Sequence, residues 1–165
     1  MCIRDSTSSE HDSPVISFKS HRRTITETDI VNFVNLLGLH EPFFIDMEYI
    51  SNNLAEGHRT RFAPGPMVIS LGMGLVATTI KDVIDRALVG ANAGEFGGMT
   101  GVNARLGAAL FPNDTIHVEG EARCKPKTSR GYTLLEIRHR VINQRGEQVA
   151  DFTETVCFLP PKPAA

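Results

Sequence analysis

The chain lacks the cysteine and histidine patterns that a disulfide scaffold or a metal centre needs. Its 3 cysteines cannot all pair and follow no ligand spacing, so Cys124 and Cys157 are expected as reduced residues on strands. None of the 6 histidines stands four residues from another, which removes the two-histidine face of a helical metal site. No metal and no cofactor are expected. No apolar run reaches the roughly 20 residues that cross a bilayer. The longest, Met67–Ile80, is broken by Ser70, Gly72, Gly74, Thr78 and Thr79 and reads as a buried core helix. Excess charge is also missing, and a net charge of −2 offers no field for nucleic acid or an anionic membrane. The N-terminus has no apolar segment of the secretory kind, which implies a cytoplasmic protein.

What is present fits one globular domain: 165 residues, 41% hydrophobic and 22% charged. Met1–Ser6 matches the translation of a transposon-end adapter used in sequencing-library preparation, so it is expected to be a gene-assembly scar. Residues 7–14, rich in Ser, Asp and Glu, read as a disordered lead-in. The domain is then expected over 15–160, with a tail at 161–165.

Val15 to Arg23 reads as an edge strand, because His21-Arg22-Arg23 suits no central position. Thr26 is placed to cap a helix, with Asp29 in its first turn. Ile30, Phe33, Val34 and Leu37 give that helix one apolar face, and Gly38 ends it. Pro42 keeps Glu41 out of helical geometry, so 39–45 is expected to be a shaped loop. Asp46 caps a short helix through Leu54 with Met47 and Ile50 inward. A polar connector over 55–64 carries Glu56, His58, Arg59 and Arg61. Pro64-Gly65-Pro66 starts a long helix. Gly72 and Gly74 each lower its propensity by about 1 kcal/mol, which predicts tight packing on a curved sheet, and Lys81, Asp82, Asp85 and Arg86 mark its solvated end. A Gly-rich linker follows at 90–101.

Beyond it the period becomes two: Ile116, Val118, Ala122 and Cys124 alternate with polar residues, then Leu135, Ile137 and Val141 do the same. Asn143-Gln-Arg-Gly146 supplies a turn, and Val149–Leu159 a last strand before Pro160-Pro161. Early helices and late strands imply an α+β domain. His117 falls on a polar strand face and His139 interrupts an apolar one; both read as strand histidines with satisfied partners.

Gly38…Pro42…Asp46, then Ala63-Pro-Gly65, then Leu110-Phe-Pro-Asn-Asp-Thr-Ile116 with Asn143-Gln-Arg-Gly146 stand in an order that resembles the MaoC-like hydratases and dehydratases. Those proteins add water to acyl-CoA thioesters or remove it. The resemblance spans about Arg23 to Leu159 and implies a single hot dog fold, a long central helix wrapped by a curved antiparallel sheet. It also implies subunits that join sheet to sheet, with CoA along the interface. In that family the first segment runs G-D-x-N-P-x-H, and its Asp and His do the chemistry. Here Leu39 stands at the Asp position and Phe44 at the His position, and neither can move a proton.

The resemblance assigns Gly65 the backbone N–H that steadies the thioester oxygen, a donor worth about 3–4 kcal/mol to a transition state. Glu41 and His40 remain as titratable groups in the same loop. Enclosed by Leu39, Pro42, Phe43 and Phe44, the Glu41 carboxyl would be suited to acid/base work. A purely structural account makes Gly65 a turn former, pairs Glu41 with Arg59 or Arg61 and leaves His40 solvated. Leu39, Phe43, Phe44, Met67 and Met73 are the candidate acyl-pocket residues. Lys125, Lys127 and Arg130 are candidate contacts for CoA phosphates.

Three functions follow from the resemblance. The first is an acyl-CoA hydratase or dehydratase using Glu41, assembled as a homodimer or larger homo-oligomer. The second is a partner subunit without the dyad, paired with a catalytic MaoC-like chain. The third is a hot dog thioesterase.

Overall fold

A computed structural model describes residues 14–125 and 127–162. The expected scar over Met1–Ser6, nearly all of the 7–14 lead-in and the end of the 161–165 tail lie outside them. The described elements are β1 (Val15–Lys19), β2 (Arg23–Thr24), α1 (Glu27–Leu37), α2 (Pro42–Ile45), α3 (Met47–Asn53), a 3-10 turn (Glu56–His58), α4 (Gly65–Val76), α5 (Ile80–Ala87), β3 (Phe96–Leu106), β4 (Thr115–Cys124), β5 (Thr133–Asn143) and β6 (Gln148–Phe158). The strands form one antiparallel sheet in the order β1-β4-β5-β6-β3, with β2 pairing the far end of β4. The helices lie on one face of it, as the α+β reading requires. Among the described residues no single helix is long and apolar enough to cross a membrane.

Alternation built the central strands as expected. Ile116, Val118, Ala122, Cys124, Leu135, Ile137 and Val141 all face the helices and are buried. Across the opposite face the side chains alternate in sign. Lys19 pairs with Glu119 (2.9 Å), Arg140 stands 3.7 Å from Glu119, and Arg138 grips Asp151 by two bonds (2.9 and 2.6 Å). His139 is fully buried on the helix side, stacked on Phe152. Its Nε2 meets Glu154 at 2.9 Å, but Nδ1 has no partner, so it is only half satisfied.

α1 begins and ends where its caps place it. Thr26 Oγ1 accepts from the Asp29 N–H and the Asp29 carboxylate accepts from the Thr26 N–H, a reciprocal capping box. Gly38 takes the left-handed conformation (φ 65°) that closes the helix. Asp46 caps α3 through the Tyr49 N–H (2.9 Å).

Five expectations are corrected. The first strand stops at Lys19 and does not reach Arg23. Residues 42–45 are a helical turn, since Pro42 suits a first helical position while excluding Glu41 from it. Met47 is 41% exposed and only Ile50 of that pair is buried. The long helix is two helices bent by 76°, broken over Ala77–Thr79. There the Thr79 hydroxyl and N–H both donate to the Val76 carbonyl, and local bonding of this kind competes with helix continuation. The linker at 90–101 ends at Glu95, because Phe96 opens an 11-residue edge strand. Its glycines sit at two register shifts against β6.

Gly72 meets the tight packing expected of it: a Cβ there would lie 2.8 Å from Phe152 and 2.9 Å from Val141. Gly74 does not, for nothing lies within 4 Å of the same construction.

The two late motifs prove to be one device. Buried Asp114 accepts from the Phe111 N–H (3.0 Å), Gln144 Nε2 (2.7 Å) and both terminal nitrogens of Arg145 (2.6 and 3.3 Å). The turn before β4 is thereby fastened to the β5–β6 hairpin, whose Gly146 has φ 79°. Burial opposes the Asp114 charge, but Arg145, the Phe111 amide and Gln144 together hold its carboxyl below the usual range.

A depressed carboxyl stabilises the fold above its unfolded pKa, near 3.9, and that contribution fades as pH falls through the folded value. Asp114→Asn should therefore lower stability at pH 7 by about 1–3 kcal/mol. It should also flatten the acid limb below about pH 4; denaturant melts against pH will measure both. Gly72→Ala should cost about 1–3 kcal/mol by overpacking, read as a fall in Tm.

Candidate functional site

The head of α4 is where backbone chemistry is left open. Ala63 donates to the Leu110 carbonyl (2.8 Å), which staples the approach to the β3–β4 connection. Pro64 then turns the chain into the helix, and Pro66 carries no N–H. The amides of Met67 and Val68 both bond the Pro64 carbonyl, at 2.9 and 3.3 Å. A helix normally opens with four unpaired N–H groups. Here only that of Gly65 lacks an acceptor among the described residues. The side chain of Leu106 packs directly on the Gly65 Cα, in the space a Cβ would take. A Cβ at 65 would meet only the end of the half-exposed Leu106 side chain, which can turn aside to admit it.

The loop expected to carry the chemistry packs on the segment that leads to this amide. Phe44 packs edge-on against Phe43 (4.7 Å between centroids) and against Phe62 (5.6 Å), three residues before Gly65. His58 continues the cluster against Phe62 and Phe111. Arg61 fixes the loop from below. Its Nη1 donates to the Phe44 carbonyl (2.7 Å) and its Nε to Glu27 (3.0 Å), so one guanidinium ties α2, α1 and the connector. Glu41 therefore does not pair with Arg61. It stands exposed as the residue before α2, and His40 beside it is exposed too. The enclosure proposed for the Glu41 carboxyl is not supplied by this chain alone.

The structure brings together some of the expected pocket residues and separates others. Leu39, Phe44 and Met73 pack partly buried against the core, Met67 is buried, and Phe43 is more open. Met67 and Met73 lie six residues apart on α4 and so point about 120° apart; they do not share one wall. Of the three basic residues, Lys125 pairs with Glu136 (2.9 Å) and Lys127 donates to the Asn92 carbonyl (3.0 Å). Arg130 is exposed in the turn and makes no ion pair among the described residues.

Sequence reasoning missed Leu106, Phe62 and the Arg61 clasp. Leu106 carries no sequence signal because β3 is exposed along nearly all of its length and shows no alternation. Phe62 carried a signal in standing next to Ala63-Pro64-Gly65. Arg61 was indistinguishable from Arg59 in a polar stretch.

No protein-family model and no curated protein matches the sequence. Solved structures do. A monoamine oxidase regulatory protein from Archaeoglobus fulgius superposes with a TM-score of 0.69 at 25% identity, over 90% of each chain. A MaoC-like dehydratase from Rhodospirillum rubrum gives 0.67 at 22% identity, over 90% of this chain and 93% of that one. The C-terminally truncated HadBC (3R-hydroxyacyl-ACP dehydratase) complex from Mycobacterium tuberculosis gives 0.68 at 13% identity, over 90% and 98%. The architecture is the hot dog fold of the MaoC-like dehydratases.

Removing the clasp should loosen the loop without unfolding the sheet. Arg61→Ala is expected to lower stability by about 1–3 kcal/mol and to hasten limited proteolysis within residues 39–46. Unchanged cleavage there would show that the guanidinium does not hold the loop.

Proposed function

We propose that this chain is an acyl-thioester-binding subunit of a hot dog hydratase or dehydratase. It seats an enoyl- or 3-hydroxyacyl-CoA thioester against the Gly65 amide, and a second chain completes its acid/base set. The observation that carries the reading is the single open N–H at the head of α4. As water adds to an enoyl thioester, negative charge gathers on the thioester oxygen, and a fixed amide at the positive end of a helix opposes that charge. Loss of such a donor lowers a rate by about 10²–10³.

The proton-transfer half of the reaction asks for an ionisable group held close to the substrate. Leu39 and Phe44 offer none, and Glu41 and His40 face solvent in the single chain. A partner chain bearing an ionisable pair meets the need. The likeness to the two-component HadBC dehydratase complex supports such an assembly. So does the free edge of β3, where Phe96, Met99, Val102 and Leu106 are all exposed and only Arg105 carries charge. Edges left to solvent are ordinarily guarded by charge or proline. Of Lys125, Lys127 and Arg130, only Arg130 is without a bond among the described residues, and it is the one we assign to a CoA phosphate.

A second reading keeps the chemistry in this chain, with Glu41 as acid and base once a second copy covers it. Its support is that the Glu41 carboxylate has no partner among the described residues and stands on the loop that packs against Phe62. Both readings make CoA thioester the substrate and require no further cofactor.

Crotonyl-CoA offered to the purified chain, with products read by mass spectrometry, separates them. The chain alone should bind the thioester without adding water to it. Gly65→Pro, which deletes the N–H at a position where proline is tolerated, should weaken binding about tenfold relative to Gly65→Ala. Equal binding by those two variants would remove the amide from the account. Hydration by the chain alone, abolished in Glu41→Gln, would install the second reading. Release of free CoA thiol would instead indicate a thioesterase.

A further inference from the structure

α4 carries a second glycine whose presence its own chain does not explain. Gly74 is interior to the helix, where glycine is disfavoured relative to alanine. Gly72 repays that with its contact on Phe152 and Val141, whereas nothing in the chain lies within 4 Å of a Cβ at 74. Nine residues after Gly65, it faces about 180° from the thioester amide, on the side of α4 turned away from the sheet. There, itself exposed, it lines a cleft of about 380 Å³ between α1 and α4. The walls are mostly apolar: Phe33 and Leu36 from α1, Met67, Leu71 and Leu75 from α4, with Asn32 the one amide side chain among them. Leu36 at the mouth is 80% exposed. A helix glycine beneath an apolar groove marks a place where something outside the chain approaches the backbone closely.

The rim states the charge of the occupant. His21 and Arg23 both line the cleft, while Arg22 does not. The one acid at the rim, Asp29, is already engaged by the Thr26 N–H and hydroxyl (2.8 Å each) and by Arg23 Nη2 (2.7 Å). Arg23 gives Asp29 that one nitrogen and keeps the rest of its guanidinium at the opening. Ser70 turns its hydroxyl back to the Pro66 carbonyl (2.9 Å), which leaves the floor apolar.

We infer that this cleft is a second ligand site, for a linear aliphatic chain of medium length ending in an anionic head. The tail lies over Gly74, and the head meets Arg23 and His21. The volume falls within the range of small-molecule pockets. A free fatty acid and the tail of a larger acidic amphiphile share this chemistry. The cleft shares Met67 with the candidate acyl-pocket residues, so crotonyl-CoA binding is measured beside decanoate binding to keep the two readings apart.

Isothermal titration of the full chain with sodium decanoate, below its micelle concentration, tests it. Wild type should bind, and decyltrimethylammonium should bind about tenfold more weakly or not at all. A Cβ at 74 meets no atom of the described residues, so Gly74→Leu should extend into the cleft, weaken decanoate about tenfold or more and raise Tm. Leu36→Glu, a surface change that puts a like charge at the mouth, should weaken it similarly and serves if Gly74→Leu does not fold. Decanoate affinity unchanged in either folded variant, no binding by wild type, or equal affinity for the cationic amphiphile would overturn the site. A wild-type oligomer that dissociates in Gly74→Leu would overturn it too, making the groove a subunit contact. Crotonyl-CoA binding should be unaltered in both variants, so failure here leaves the thioester reading standing.

Discussion

At Gly72 the backbone of α4 comes down onto Phe152 and Val141 with no side chain between. That contact sets the height and rotation of the helix over the sheet. Helical geometry then dictates the rest. Gly65 is held on the sheet side under Leu106, Met67 turns toward α1, Met73 toward the other flank, and Gly74 away from the core. The open amide and the apolar cleft are both consequences of where one absent Cβ lets the helix rest.

Much of this was legible in the residues. The strands β4, β5 and β6 announced themselves because one face is buried and the other carries charge, and period two follows directly from that asymmetry. α1 was equally plain, since Thr26, Asp29 and Gly38 carry the side-chain and backbone chemistry that helix ends demand. β3 escaped for the opposite reason. Unpaired on one edge and open on both faces in the single chain, it has no alternation to display, and its glycines imitate a linker. The break at Ala77–Thr79 was invisible because each residue there tolerates a helix, and only local hydroxyl bonding ends it.

The site was half legible. Gly65 between two prolines identified the head of α4, and its isolation as the one open amide follows from those same prolines. The surroundings of Glu41 were not, because sequence places a residue in a loop without fixing which way the loop faces. Arg61 determined that by choosing the Phe44 carbonyl and Glu27 over Glu41. The pairing of the Asp114 and Gln144-Arg145 segments was visible only as order along the chain; the hydrogen bonds supply its physical reason.

The 76° turn after Val76 divides the interior in two. One cluster gathers under α4 with Ile30, Val118, Val141 and Phe152, the other under α5 with Ala122, Leu135, Ile137 and Val156. With no continuous helix spanning both, an opening of α5 need not unseat α4. Amides of Val83–Ala87 would then exchange with solvent faster than those of Val68–Val76. The half of the molecule that holds the open Gly65 amide would keep its protection during such an opening.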